Sequence, residues 1–185
     1  EELFGLEDES PEAPVAHDMI RIVEPDEEAV FRPGKGEPFE AQVPKSLGDA
    51  IRWFVLATAA RRCRTGAQKH SSMLIHTSTR VAHHLEMLPV VREYVSALRT
   101  GWASGRRSEW EEQWAAEQNS EPPSLFGHEV MPFADLVETI GAVLAEVRIV
   151  ADNSQSSERL LYADDPATVI AVGGNTLSRG LTLYG

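Results

Sequence analysis

The residues whose types and spacing best suit chemistry lie in VIAVGGNTLSRGLTL, 169–183. An apolar run of this kind reads as a buried strand, and the carboxyl edge of a parallel sheet is where α/β folds bind ligands. Gly173 and Gly174 would expose backbone N–H groups with no side chain in the way. Asn175, Thr176 and Ser178 add short polar groups, Arg179 a fixed cation, and Gly180 clears space beside it. Such an array suits phosphate oxygens, of a nucleic-acid backbone or of a nucleotide at a domain interface. A glycine turn with a structural arginine is the competing reading.

Two further stretches carry candidate groups. SSMLIHTS, 71–78, is a short apolar run bracketed by hydroxyl residues, and His76, Thr77 and Ser78 close it. A strand that ends in hydroxyls and feeds a helix is half of a βαβ unit. Arg61, Arg62 and Arg64 fall in the last turn of a predicted helix. They form a candidate phosphate track, or they simply complement the helix dipole.

Other chemistries find little support. The phosphate-loop pattern GxxxxGK[ST] is absent, since Gly34-Lys35 continues to Gly36, and no predicted strand ends in an acidic pair that would hold magnesium. There is no GxSxG elbow and no HExxH. His83 and His84 are adjacent, so on a helix they point about 100° apart and are expected to be solvated, not to share a metal. Asp152, Asp164 and Asp165 read as loop acids. No metal site is expected. Cys63, the single cysteine, excludes a disulfide within the chain and a Cys-based zinc site. It is expected to be a small buried hydrophobe in a reduced, cytoplasmic setting.

The elements that would position these groups follow from periodicity. Residues 1–18 form an acidic arm with two prolines, and 19–25 alternate as a short strand. Residues 25–44 are rich in turn formers and read as irregular, with a short strand near Phe39–Val43. Ser46 is the expected N-cap of a helix that carries Leu47, Ile51, Phe54, Val55 and Ala59 on one stripe and ends near Arg64–Gly66. After the 71–78 strand, Thr77, Ser78 or Thr79 would cap a helix with Val81, Leu85, Leu88, Val91, Tyr94, Val95 and Leu98, kinked or restarted at Pro89. A charged insert over about 101–130 contains a helical stretch whose Trp110 and Trp114 are expected to pack onto the domain. A helix over 132–147, a strand over 147–152 and a strand over 167–172 complete the pattern. The fold class is α/β, with three layers and a mainly parallel sheet.

Composition bounds the partners. The 185 residues and 42% hydrophobic content suffice for one core, and no apolar run reaches the length of a membrane span. The net charge of −12 is unevenly spread. Residues 1–30 hold 11 acids and one base, and 108–165 hold 13 acids and two bases; residues 45–107 hold 11 bases and three acids. A basic central third sits inside an acidic protein, as a solvated mosaic or as a nucleic-acid face.

The 169–183 segment resembles motif V of superfamily-two helicases, in which a strand runs into a Thr-rich turn and Arg-Gly-x-Asp. GGNTLSRGLTL more specifically resembles the Z1 domain, a family bearing an endonuclease label and found in helicase-like ATPases of bacterial restriction systems. SLGDAIRWFVLATAARRCR (46–64) and SSMLIHTS resemble that family's helix and the strand carrying motif IV. Together they span roughly 44–183. The resemblance implies a second RecA-like lobe, of the P-loop NTPase type and incomplete at its C-terminus, over 19–185. His76, Thr77, Ser78, Gly173, Gly174 and Asn175 would contact nucleic acid, and Ser178, Arg179, Gly180 and Thr182 would line the nucleotide cleft. Arg179 would couple ATP to the strand. Thr182 stands where the pattern has an acid, so a carboxylate contact to ribose is lost.

The expected function is therefore that of a fragment of an ATP-dependent DNA translocase from a restriction or DNA-processing system, inactive alone. ATP and magnesium would be bound mostly by other parts of the parent protein. Its partners would be DNA, a first helicase lobe and a separate nuclease subunit, with no membrane. Two alternatives stand beside it: a metal-dependent endonuclease, as the family label says, and a protein-interaction module built on the Trp-rich insert.

Overall fold

The computed structural model describes residues 20–31, 38–78, 80–152 and 166–173. The predicted arm, the 153–165 loop with Asp164 and Asp165, and the 174–185 segment lie outside them.

Among the described residues three parallel strands form one sheet: β1 (Ser71–Ile75), β2 (Arg148–Asp152) and β3 (Thr168–Gly173), in the order β1-β3-β2. Of these three described strands the last in sequence is thus the central one. Every residue of β3 is buried, which is why it reads as a continuous apolar run and not as an alternation. Register places Ile75 opposite Val172 and Asp152 opposite Gly173, so β1, β2 and β3 end together at one carboxyl edge. The predicted α/β class with a parallel sheet flanked by helices is what forms.

Among the described residues five α-helices accompany the sheet: α1 (Pro25–Phe31), α2 (Lys45–Thr65), α3 (Val81–Ala103), α4 (Ser108–Ser120) and α5 (Phe133–Glu146). A 3-10 turn, Pro123–Phe126, follows α4. Leu47 and Ile51 of α2 and Met87, Val91 and Val95 of α3 pack with Ile75, Ile170 and Val172 of the sheet. Val55, Leu56, Ala59 and Ala60, further along α2, meet Leu136, Ile140, Val143 and Leu144 of α5, with Trp102, Trp110 and Trp114 closing the cluster. The two tryptophans of the insert pack onto the domain as expected, at 4% and 3% exposure.

Several local expectations are corrected. The stretch 20–24 has no regular structure, and Pro25–Phe31 is helical instead of irregular: proline is favoured in a first turn, and Asp26, Glu27 and Glu28 suit the positive end of a helix dipole. Residues 38–44 form no strand. Ser46 lies inside α2 and does not cap it; Pro44 holds that place, and the Ser46 Oγ has no hydrogen-bond partner among the described residues. The free N–H of Ser46 donates instead to the Glu27 carboxylate of α1, at 3.0 and 3.4 Å. α3 runs on through Pro89. Pro89 and Leu85 both lie on the exposed face, where water can serve the carbonyl that proline leaves without a donor.

Candidate ligand edge of the sheet

The carboxyl edge gathers the end of β1 and the end of β3. His76 follows Ile75, and its Nδ1 donates to the Gly173 carbonyl oxygen at 2.6 Å. The turn that contains Thr77 and Ser78 is thereby fixed beside the strand that leads into GGNTLSRGLTL. Two stretches about 97 residues apart in sequence thus meet at one place, as their separate readings as ligand-edge segments require.

Gly173 is at this edge for a reason of space. Its φ is 153°, and a Cβ built on it would lie 1.9 Å from the Asp152 carbonyl oxygen. Only glycine lets the ends of β2 and β3 approach so closely. The glycine expected to bare its N–H to a phosphate is a sheet residue first, and its carbonyl is engaged by His76.

The turn is also tied to α3. The Ser78 Oγ accepts the Arg80 N–H at 3.1 Å, so a hydroxyl does serve the start of α3, though Arg80 occupies the N-cap position. The Ser78 carbonyl accepts from His84 Nε2. His84 is 1% exposed, and His83 stacks on Phe39 with ring centroids 4.1 Å apart. The expected solvated pair is overturned: α3 turns both rings inwards. They do diverge as adjacent helical residues must, and among the described residues no cluster of three or more His, Cys, Asp or Glu is placed to hold a metal.

Arg80 was not singled out by pattern, yet it stands next to this turn, exposed. Its side chain makes no hydrogen bond or ion pair among the described residues. Its place, two residues beyond a strand's closing hydroxyls, is the signal that could have found it.

The three other arginines lie elsewhere. Arg61 donates to the His70 carbonyl and to Ser71 Oγ, at the start of β1. Arg62 is 9% exposed and pairs with Glu146 at the end of α5 and with Thr168 at the start of β3. Both therefore sit at the amino edge, a strand length of about 17 Å from the carboxyl edge. Arg61 and Arg62 thus lie at the edge opposite the 76–78 turn. Burial works against a charged Glu146, but hydrogen bonds from Arg62 and Thr168 and the guanidinium charge outweigh it and hold the carboxyl below its ordinary range. Arg64 is exposed and borders a cleft of about 430 Å³ with Trp53, Trp114, Glu117 and Phe126. Cys63 is exposed, with Thr139 Oγ1 3.3 Å from its sulfur, which corrects the expected buried thiol.

Asp152 ends β2 beside Gly173 and is 7% exposed. Gly174, Asn175, Ser178, Arg179, Gly180 and Thr182 fall outside the described residues, so their placement at this edge stays an expectation from the strand that precedes them.

The Z1 domain family matches residues 46–185 of this sequence. The chain belongs to the Z1 domain family. The match begins at the start of α2 and takes in all three strands and the carboxyl edge, so the Z1 region and the sheet with its flanking helices coincide. Comparison with curated proteins and with solved structures finds no match. Among the described residues no helix is long and apolar enough to cross a membrane.

Proposed function

We propose that this Z1 domain is the second RecA-like lobe of an ATP-dependent DNA translocase of a restriction or DNA-processing system, and that the carboxyl edge of its sheet grips the nucleic-acid backbone. One observation carries this reading: the 2.6 Å bond that joins the His76–Ser78 turn to Gly173 at the mouth of the glycine-rich segment. It unites the two stretches that separately resemble nucleic-acid-contacting motifs. Thr77, Ser78, Arg80, Gly174 and Asn175 would supply donors to phosphate oxygens. Arg179 and Gly180 would lie towards a nucleotide cleft shared with a first lobe, which would hold most of the ATP and magnesium. A nuclease subunit would be a separate partner.

Arg61 and Arg62 drop out of the proposed track, because their guanidinium groups already serve the sheet's amino edge. The endonuclease alternative would centre on Asp152, beside Gly173. The interaction-module alternative would have to use Leu125, Phe126 and Val130, which are exposed, since Trp110 and Trp114 are inside.

The discriminating experiment incubates the 185-residue chain with plasmid DNA and magnesium, without ATP. The DNA should be bound and remain intact. Magnesium-dependent cleavage, abolished by Asp152→Asn, would overturn the translocase reading in favour of the nuclease.

A further inference from the structure

We propose that His76 and His84 work as a paired latch that fixes the 76–78 turn between β3 and α3, making both of them positioning residues for phosphate recognition. The proposal rests on the reading of the carboxyl edge given above. A carbonyl oxygen can only accept, so the bond to Gly173 puts the His76 proton on Nδ1 and the bond to Ser78 puts the His84 proton on Nε2. One bond ties the start of the turn to the central strand and the other ties its far end to the first turn of α3. The two rings stand with centroids 6.1 Å apart. Between the two anchors lies Thr77, and Arg80, two residues beyond Ser78, is exposed.

The chemistry of His84 argues for this role over packing. Its ring is 1% exposed and its buried Nδ1 has no hydrogen-bond partner among the described residues. A leucine would fill the same space without that unsatisfied nitrogen. What the imidazole adds is the bond to the Ser78 carbonyl. That bond holds Ser78 with its Oγ against the Arg80 N–H, so the backbone of Thr77 and Ser78 is set before any ligand arrives.

The test uses the 185-residue chain in four variants. His84→Leu and His76→Leu remove the donors, whereas His84→Gln keeps a donor near Nε2 and His76→Asn keeps one near Nδ1. Two readouts are taken: hydrogen exchange of peptides covering 76–84, and affinity for a fluorescein-labelled single-stranded 20-nucleotide DNA. Each leucine variant should speed exchange in the turn and weaken DNA binding, both by about 3- to 10-fold, the equivalent of one lost hydrogen bond. The Gln and Asn variants should restore most of both. His76 is exposed, so His76→Leu tests the latch even where His84→Leu disturbs folding.

Unchanged exchange in the leucine variants overturns the latch. Equal damage from the leucine and the donor-keeping variants reduces the histidines to packing and overturns it as well. Faster exchange with unchanged DNA affinity overturns the positioning role. If the wild-type chain binds no DNA while the exchange pattern appears as described, the latch stands and the nucleic-acid reading falls.

Discussion

At the scale of single residues, the glycine that opens the GGN motif has a duty that its neighbours do not share. Gly173 sits where two parallel strands close to the distance at which a Cβ would strike the Asp152 carbonyl. Gly173→Ala should therefore destabilise the domain by about 3 kcal/mol or more, because the obstacle is backbone and cannot rotate away; urea unfolding followed by far-UV circular dichroism measures it. A loss of affinity with full stability would mean that the residue serves a ligand and not the sheet. Arg62 makes a related case. Its pair with Glu146 and Thr168 joins α2, α5 and β3. Arg62→Met should cost about 1–3 kcal/mol, below the range for fully buried pairs because the Glu146 side chain is 36% exposed. The folded-state pKa of Glu146 is depressed, so its contribution is present above the ordinary carboxylate value and is lost as pH falls through the lower folded one. Between about pH 5 and pH 3 the wild type should lose more melting temperature than Glu146→Gln. Sequence pattern could find the arginine triplet but not its partners. A local run of Arg-Arg-Cys-Arg does not show that the first two reach 9 and 84 residues along the chain.

At the scale of elements, helix stripes were legible and helix ends were not. The spacing of Leu47, Ile51, Val55 and Ala59 predicts α2, but a Ser46 cap would start it two residues after the observed Lys45; at the other end Gly66 at φ 62° closes it as a left-handed cap should. The caps that involve distant residues escaped: Glu27 reaches across from α1 to the first turn of α2. Hydrogen bonding from Ser46 holds the Glu27 carboxyl below its ordinary range, helped by Lys45. Likewise Arg99 of α3 donates to the Leu144 and Val147 carbonyls at the end of α5, at 2.6 and 2.5 Å. Such contacts depend on which elements become neighbours, which periodicity does not encode. α2 and α3 meet closely at Gly48, where a Cβ would come 2.5 Å from the Tyr94 hydroxyl. Alanine is favoured over glycine inside a helix by about 1 kcal/mol. Gly48→Ala should nonetheless destabilise by about 1 kcal/mol, since Tyr94 must move and its bond with Arg52 is broken. In a Tyr94→Phe background the same substitution should become neutral or stabilising, because the clashing oxygen is gone. Thermal melts of the four proteins of this cycle check the reversal of sign.

At the scale of the whole molecule, the distribution of charge was a better guide than its total, but it still overstated the free positive surface. The basic stretch 45–107 does run through the strand and the turn of the carboxyl edge. Much of its charge is engaged inside the domain: Arg52 with Asp49 and Glu109, Arg61 and Arg62 at the amino edge, Arg92 and Arg99 on backbone carbonyls, Arg107 over Trp102. Arg80 and Arg64 remain exposed at different parts of the fold. The parallel sheet was legible because apolar runs followed by helices admit few other arrangements. Which strand is central was not, as the order β1-β3-β2 follows from packing and not from pattern. The meeting of His76 with Gly173 was legible only through family resemblance.

This difference in position makes the central claim testable with one measurement: the salt dependence of single-stranded DNA binding, followed by fluorescence anisotropy, for the wild-type chain, Arg80→Ala and Arg64→Ala. Affinity should fall as salt rises, with a logarithmic slope of about −2 for three phosphates contacted. Arg80→Ala should weaken binding and flatten that slope by close to one contact, and Arg64→Ala should leave both unchanged. Salt-independent binding, or a slope that flattens for Arg64→Ala and not for Arg80→Ala, would contradict the placement of the nucleic-acid contact at the carboxyl edge of the sheet.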